Sequence, residues 1–276
     1  MYVLFDIGGT KTRVAISSDL KTLANHTSFK TPVTFAEGMK KLTATISTLC
    51  EGVAPTAIAG GIRGVLEDDK SGIHNDSVLS KWMGKSIVAE LKKSFKVPIH
   101  LENDAALAGL GEAVYGAGKG LEIIAYHTVS TGIGGVKIEN GQIDHASTGF
   151  EPGHQILDID RTVLGDDIEP TLENLVSGAA IELRFGCKPY EIDQSDVLWE
   201  DLAEYLAQGL RNTVLYWSPD AIILGGSMMI GDPKIRVDSV RKYTVASLDG
   251  FVPCPFICEA KLGDEAGLYG AMALLS

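Results

Sequence analysis

The apolar positions along the chain change period several times, and each change marks an element. Tyr2-Val3-Leu4-Phe5 is a short apolar run, Asp6-Ile7-Gly8-Gly9-Thr10-Lys11 turns the chain, and Arg13-Val14-Ala15-Ile16 resumes with strand-type residues. This pattern predicts a β-hairpin, with a third strand over 22–29. Phe35, Met39, Leu42, Ile46 and Leu49 then recur at spacings of three and four, the stripe of an amphipathic helix. Next come an apolar strand over 57–61, a helix carrying Ile87, Leu91 and Phe95, a strand over 97–101 and an alanine-rich helix from Asp104. The predicted order is βββ-α-β-α-β-α.

The same order then begins again. Residues 121–129 read as a long strand, Ser130-Thr131-Gly132-Ile133-Gly134-Gly135 as a glycine-rich turn and Val136-Lys137-Ile138 as the return strand, with Asn140-Gly141 as a two-residue hairpin turn. Helical stripes over 172–183 and 198–217, a strand over 221–224, a Gly225-Gly226 turn, a helix, a strand over 256–260 and a final helix from Asp264 complete the series. The parallel placement of the two glycine turns carries this duplication. It predicts an α/β protein of two lobes, residues 1–117 (completed by the C-terminal helix over 264–276) and residues 118–263. A cleft between two such lobes lets both turns face one ligand.

Composition narrows the functional classes. With 276 residues, 45% of them hydrophobic, the chain can bury a sizeable core. Asp and Glu outnumber Lys and Arg by 36 to 24, for a formal charge of -12 with no basic run, which argues against a nucleic-acid partner. The first apolar run is too short for a signal-peptide core, and no run reaches membrane-spanning length, so no membrane association and a cytoplasmic location are expected. Four cysteines argue against a disulfide framework. An extended segment would hold the Cα atoms of Cys254 and Cys258 roughly 13 Å apart at about 3.3 Å per residue, too far for a bridge.

Several residues carry candidate chemistry. Gly8-Gly9-Thr10 lets backbone N–H groups point outward together, because glycine tolerates positive φ and has no Cβ to block a phosphate; Thr10 adds a hydroxyl and Lys11 a charge. One such glycine pair alone is an ordinary tight hairpin. A second, with Thr131, Gly132 and Gly134, favours a pair of phosphate cradles, since a transferred phosphoryl group needs donors around several oxygens. Neither matches the P-loop pattern. Asp6 either caps its turn or supplies an oxygen ligand to a phosphate-bridging Mg²⁺, directly or through water, and the second role is favoured. Glu102-Asn103-Asp104 lies where a strand ends and a helix begins. Asp or Asn there is first a good N-cap, but the carboxyl end of a strand also suits a base that accepts a substrate proton. Asp104 is the candidate base and Asn103 the candidate orienting residue. Glu151, His154 and Glu173 supply two carboxylates and an imidazole that either accept bonds from sugar hydroxyls, worth roughly 1.5–3 kcal/mol each when charge-assisted, or, as such residues more often do in isolation, are solvated in loops.

Taken together, these segments resemble the ROK family (repressors, open reading frames and sugar kinases) within the actin-like ATPase superfamily, over nearly the whole chain. Asp6-Ile-Gly-Gly-Thr-Lys11 resembles its first phosphate motif, Glu102-Asn-Asp104 its catalytic segment and Ser130-Thr-Gly-Ile-Gly-Gly135 its second phosphate motif. Glu151-Pro-Gly-His154 is similar to its sugar-binding signature, Leu224-Gly225-Gly226 to its adenosine segment and Leu262-Gly-Asp-Glu-Ala-Gly267 to its C-terminal signature. The resemblance implies two actin-like (RNase H-like) lobes with a nucleotide and sugar cleft between them. It implies transfer of the γ-phosphate of ATP, with Mg²⁺, to a glucose-like hexose, with Asp104 as base. Asn103, Glu151, His154, Glu173, Gly61 and Gly64 would lie against the sugar, and a homodimer is expected. Arg63 stands where many members have proline, and either contacts an acyl or acidic substituent or faces solvent. Many members carry a cysteine-rich zinc loop after the histidine, whereas this chain has no cysteine between His154 and Glu173, so a structural zinc is not expected.

Two other readings follow from the same resemblance: a kinase for an N-acetylated hexosamine, and a catalytically silent sugar-binding or regulatory protein. The family's repressors carry a helix-turn-helix before the first glycine motif. Here only Met1–Phe5 precede Asp6, which disfavours direct DNA binding.

Overall fold

The computed structural model describes residues 1–146 and 149–276, which form two compact units. The first comprises Met1–Tyr115, His145–Gly149 and Asp264–Ser276. Its sheet is built from β1 (Tyr2–Ile7), β2 (Lys11–Ser17), β3 (His26–Lys30), β4 (Ala57–Ile62) and, later in the chain, the strand Ile99–Asn103. The order is β3-β2-β1-β4 followed by Ile99–Asn103, antiparallel among the first three strands and parallel among the last three. Helix α1 (Phe35–Cys50) covers one face through Met39, Leu42 and Ile46, all essentially buried. It starts where Thr34 accepts a hydrogen bond from the Glu37 N–H, satisfying one of the helix's orphan donors.

A short hairpin, β5 (Val65–Leu66) with β6 (Ile73–Asn75), follows β4, and α2 (Ile87–Ser94) leads to the strand Ile99–Asn103, now β7. Helix α3 (Asp104–Val114) packs on the other face beside the C-terminal helix Ala266–Leu274. That contact requires glycine: a Cβ at Gly270 would lie 1.8 Å from the Leu107 carbonyl oxygen, and one at Gly111 would lie 2.4 Å from that of Ala266.

The second unit, Gly116–Asp144 and Phe150–Gly263, repeats the plan. Strands β8 (Ile123–Val129), β9 (Ile133–Glu139) and β10 (Gln142–Ile143) form the antiparallel part, and β11 (Ala221–Gly225) and β12 (Phe256–Glu259) continue it in parallel. The order β10-β9-β8-β11-β12 matches that of the first sheet strand for strand. Its helices are α4 (Leu172–Val176), α5 (Gly178–Phe185), α6 (Leu198–Trp217), α7 (Ser227–Ile230) and α8 (Val237–Leu248). The long α6 buries Leu202, Leu206 and Leu210, four residues apart, in the core of this unit. No helix among the described residues is long and apolar enough to cross a membrane.

Local chemistry shifts several expected boundaries. The third strand begins at His26 rather than residue 22, because the Asp19 carboxylate accepts hydrogen bonds from the N–H groups of Lys21 and Thr22 and holds a turn there. The helical stripe over 172–183 is two helices. Ser177 adopts extended geometry (φ -67°, ψ 160°) and caps α5 by accepting from the Ala180 N–H, competing with the helical ladder. Gly134 and Gly135 belong to β9, paired with Thr128 and His127, so the second turn is only Ser130–Gly132.

Candidate functional site

In the first unit, the glycine turn is fastened from below. The Gly8 N–H donates to the Lys11 carbonyl at 3.0 Å, and the Thr31 hydroxyl donates to the Gly8 carbonyl at 2.8 Å. The buried Thr12 and Thr31 hydroxyls lie 2.9 Å apart, and the Thr31 N–H reaches the Thr10 carbonyl at 3.0 Å. Neither Thr12 nor Thr31 stands in a motif, so nothing local in the sequence marks them as parts of the turn. Neither Gly8 nor Gly9 has positive φ, so the expectation of left-handed geometry there is corrected. What excludes a side chain is crowding: a Gly9 Cβ would stand 3.0 Å from Val78 Cγ1 and 3.1 Å from Arg63 Nη1. Thr10 and Lys11 are exposed at the tip.

Asp6 stands in register with Arg13 on β2 and Gly61 on β4. Arg13 Nη1 contacts its Oδ2 at 3.5 Å, while Arg13 Nη2 pairs with Asp264 at 2.7 Å. A Cβ at Gly61 would meet the Asp104 Cα at 3.3 Å and Asp6 Oδ1 at 3.6 Å, and one at Gly267 would meet Asp6 Cγ at 3.0 Å. Gly61 therefore lets the start of α3 lie close to the Asp6 carboxylate, near enough for the charge of Asp104 to act on it. Burial first, then the charge of Asp104, push the Asp6 carboxyl up to about 7, with Arg13 acting against them. Burial also raises the Asp104 carboxyl, opposed by the Ala105 N–H and by the charge of Arg63. Two buried carboxyls whose pKa values are raised, one acting on the other, are the kind of pair found where protons or cations are handled.

Asn103 caps α3, its Oδ1 accepting from the Ala106 N–H at 3.0 Å, while its Nδ2 donates to the Gly64 carbonyl at 3.1 Å. Gly64 has φ +101°, and a Cβ there would lie 2.7 Å from the Asn75 carbonyl. Glu102 is buried, accepts from the Asn103 N–H and pairs with Lys70. The strand end, the capped helix start and the loop after β4 are thus tied together, with Asp104 at the first position of α3.

In the second unit, the turn Ser130–Gly132 is braced differently. The Gly178 and Ala179 N–H groups at the start of α5 donate to the Ser130 and Thr131 carbonyls at 2.7 and 3.1 Å. Glu173 Oε2 accepts from the Ile133 N–H at 2.6 Å, and a Cβ at Gly132 would lie 2.5 Å from that oxygen. Glu173 is therefore brought to the turn itself. Gly225 lies under the Tyr126 hydroxyl, and Gly226 (φ +87°) would place a Cβ 2.3 Å from the Val129 carbonyl.

Glu151 and His154 are exposed at the ends of the segment Glu151–His154, whose buried Pro152 and Gly153 seat against β9. A Gly153 Cβ would stand 2.4 Å from the Ile133 carbonyl, and a Gly135 Cβ 2.7 Å from Pro152 Cγ. Gln155 fixes the exit of this segment, donating to the Pro152 carbonyl at 2.8 Å and accepting from Asn212 at 2.7 Å. Its own carbonyl accepts from the Leu172 N–H at 3.0 Å, which ties the histidine segment to the helix bearing Glu173.

The intervening loop is ordered around Asp158, which is 8% exposed and accepts from the N–H groups of Thr162, Val163 and Leu164. Those donors hold its carboxyl below the ordinary carboxylate range, although burial acts the other way. Arg161 donates to the Ile168 carbonyl at 2.5 Å, and Leu164 anchors the loop in the core.

The chain is 28% identical to a fructokinase from Pediococcus pentosaceus over 75% of this chain and 74% of that one. It is 29% identical to a fructokinase from Zymomonas mobilis over 99% of this chain and 96% of that one. Among solved structures, a ROK hexokinase from Thermus thermophilus superposes with a TM-score of 0.83 at 28% identity, covering 99% of this chain and 97% of the other. The model of the ROK family matches residues 2–276, and the chain belongs to that family.

Proposed function

We propose that this chain is an ATP-dependent hexose kinase, with Asp104 as the base that receives the hydroxyl proton of the sugar. The observation that carries this reading is the placement of Asp104, one residue beyond the end of β7, and Asp6, at the penultimate position of the strand that leads into the glycine turn, on either side of Gly61. The names of its relatives support the substrate class: both fructokinases and the hexokinase act on hexoses.

In this reading the backbone of Gly8–Lys11, kept in place by Thr31, and the turn Ser130–Gly132 hold phosphate oxygens, and Gly225–Gly226 borders the adenosine. Asn103, Glu151 and His154 orient the hexose. Glu173, already committed to the Ile133 N–H through Oε2, shapes the second turn and offers Oε1 to the sugar. Among the described residues no group of three or more His, Cys, Asp or Glu is placed to hold a metal ion. A Mg²⁺ at Asp6 would accordingly take its remaining ligands from phosphates and water, the usual arrangement for this hard cation. It would supply neutralisation of phosphate charge. The raised Asp6 carboxyl suits that role, because a nearby cation restores the ionised form.

The test is ADP release from MgATP across a panel including fructose, glucose, mannose and N-acetylated hexosamines. A hexose-stimulated rate is expected. A rate that no sugar raises above background would favour a silent sugar-binding protein. A homodimer and an intracellular location, where ATP is available, belong to the same proposal; sedimentation of the purified chain checks the first.

A further inference from the structure

Resting on the kinase reading, we propose that Arg63 is a catalytic residue that binds the γ-phosphoryl group during transfer, and that Asp76 is the residue that positions it. Its backbone is fixed where it matters. The Arg63 N–H donates to the Ile7 carbonyl at 3.2 Å, at the last residue of β1 before the glycine turn. The next residue, Gly64, is held by Asn103. Its side chain is fixed as well: Nε donates to Asp76 Oδ2 at 2.7 Å.

Asp76 is itself immobile. Its side chain is 3% exposed, and its other oxygen accepts from the N–H groups of Val78 and Leu79. A guanidinium carries its N–H groups in a fixed planar fork, so anchoring Nε sets the direction of both terminal nitrogens. Nη1 lies 3.1 Å from where a Gly9 Cβ would stand, directly against the glycine turn, and the positive charge acts on Asp104. Of the two arginines beside these carboxylates, Arg13 is shared between Asp6 and Asp264, whereas the terminal nitrogens of Arg63 have no hydrogen-bond partner among the described residues.

A preorganised cation between the phosphate turn and the base meets charge where it develops, and costs no reorganisation during the reaction. In the step itself, the sugar hydroxyl oxygen bonds to the γ-phosphorus and its proton passes to the Asp104 carboxylate. The bond from the γ-phosphorus to the bridging oxygen breaks, and its electron pair leaves with ADP. Arg63 exchanges no proton; its N–H groups bind the equatorial phosphoryl oxygens.

The experiment measures kcat and both KM values for wild type, Arg63→Ala, Arg63→Lys and Asp76→Asn, with added guanidinium or urea at equal low concentration. Arg63→Ala should lower kcat by about 10²–10³-fold, the effect of removing one transition-state donor, with the hexose KM unchanged. Guanidinium, but not urea, should restore part of the rate. Arg63→Lys keeps the charge without the fork and should fall between. Asp76→Asn should lower kcat without shifting the hexose KM. An Arg63→Ala enzyme with wild-type kcat overturns the inference and leaves a surface ion pair. A raised hexose KM with kcat intact overturns it in favour of acceptor recognition. If Arg63→Ala fails to fold, the Arg63→Lys rate decides: wild-type kcat there overturns the fork. Wild-type protein with no sugar-dependent turnover overturns the kinase reading and this inference with it, whereas active wild type with active Arg63→Ala overturns the inference alone.

Discussion

The two units share a strand order and differ in what they place at one register position. The penultimate residue of the first strand is Asp6 in one unit and Thr128 in the other, and each faces a glycine on the parallel neighbour, Gly61 or Gly225. Around Asp6 the carboxylates are crowded and their protons are held tightly. In the second unit the carboxylates of Glu173, Asp158 and Asp220 accept backbone N–H groups and brace loops. On the proposed function the duplicated fold divides its labour: buried carboxylates are costly, and the first unit keeps Asp6 and Asp104 where a cation or a proton can use them.

The sharpest way to break this division is Asp104→Asn. If the first unit carries the chemistry, kcat should fall by about 10²–10⁴-fold, the usual contribution of a positioned base, with sugar and nucleotide KM little changed.

The pH dependence of stability separates the units next, because their buried groups act in opposite senses. His127 is fully buried in the second unit, stacked near Trp217, and burial pushes its imidazole down to about 4 from 6.5. The unfolded chain therefore binds its proton more readily, so stability rises with pH between about 4 and 6.5, by about 3 kcal/mol in total. Asp6 does the reverse: raised from 3.8 to about 7, it holds its proton in the folded chain, so stability falls as pH rises across that range. Urea unfolding from pH 4 to 7 should show a gain with pH in Asp6→Asn that is absent from wild type, where the two groups nearly offset, and a loss with pH in His127→Gln. Parallel profiles for the two variants would contradict the contrast.

Smaller effects test the bracing. Glu173→Ala removes a charge-assisted bond to the second turn and should cost about 1.5–3 kcal/mol in chemical unfolding and raise the KM for ATP. Thr31→Val removes a hydroxyl bond beneath the first turn and should cost about 1 kcal/mol, with a smaller rise in the same KM. If Thr31→Val exceeds Glu173→Ala in its effect on stability, the second unit is not the more heavily braced one.

The repeated plan was legible because hydrophobic period and glycine turns are local signals: α1 and α6 follow their stripes, and both glycine turns lie between the expected strands. Ser177 was not, since a serine breaks a helix only when a cap there outcompetes the ladder, and that depends on the neighbouring turn that α5 meets. The short β5–β6 hairpin lacks a periodic stretch long enough to register. In the site, Asp6, Asn103 and Asp104 stood in motifs, but Thr31 and Asp76 act through Gly8 and Arg63 on other elements, and Arg13 also pairs with Asp264 far along the chain; no spacing rule shows such contacts. Arg63 was visible as a departure from the family pattern, yet only Asp76 and Gly9 show where it is aimed.

The central claim is that a phosphoryl group moves from ATP to a hexose hydroxyl with Asp104 taking the proton. Phosphorus NMR of a reaction containing MgATP and the best hexose tests it directly. Wild-type protein should convert the γ-phosphate signal into a sugar phosphate ester with matching ADP, and Asp104→Asn should leave both substrates intact on the same timescale. Ester formation by Asp104→Asn at the wild-type rate, or free phosphate in place of the ester with wild type, would contradict the account.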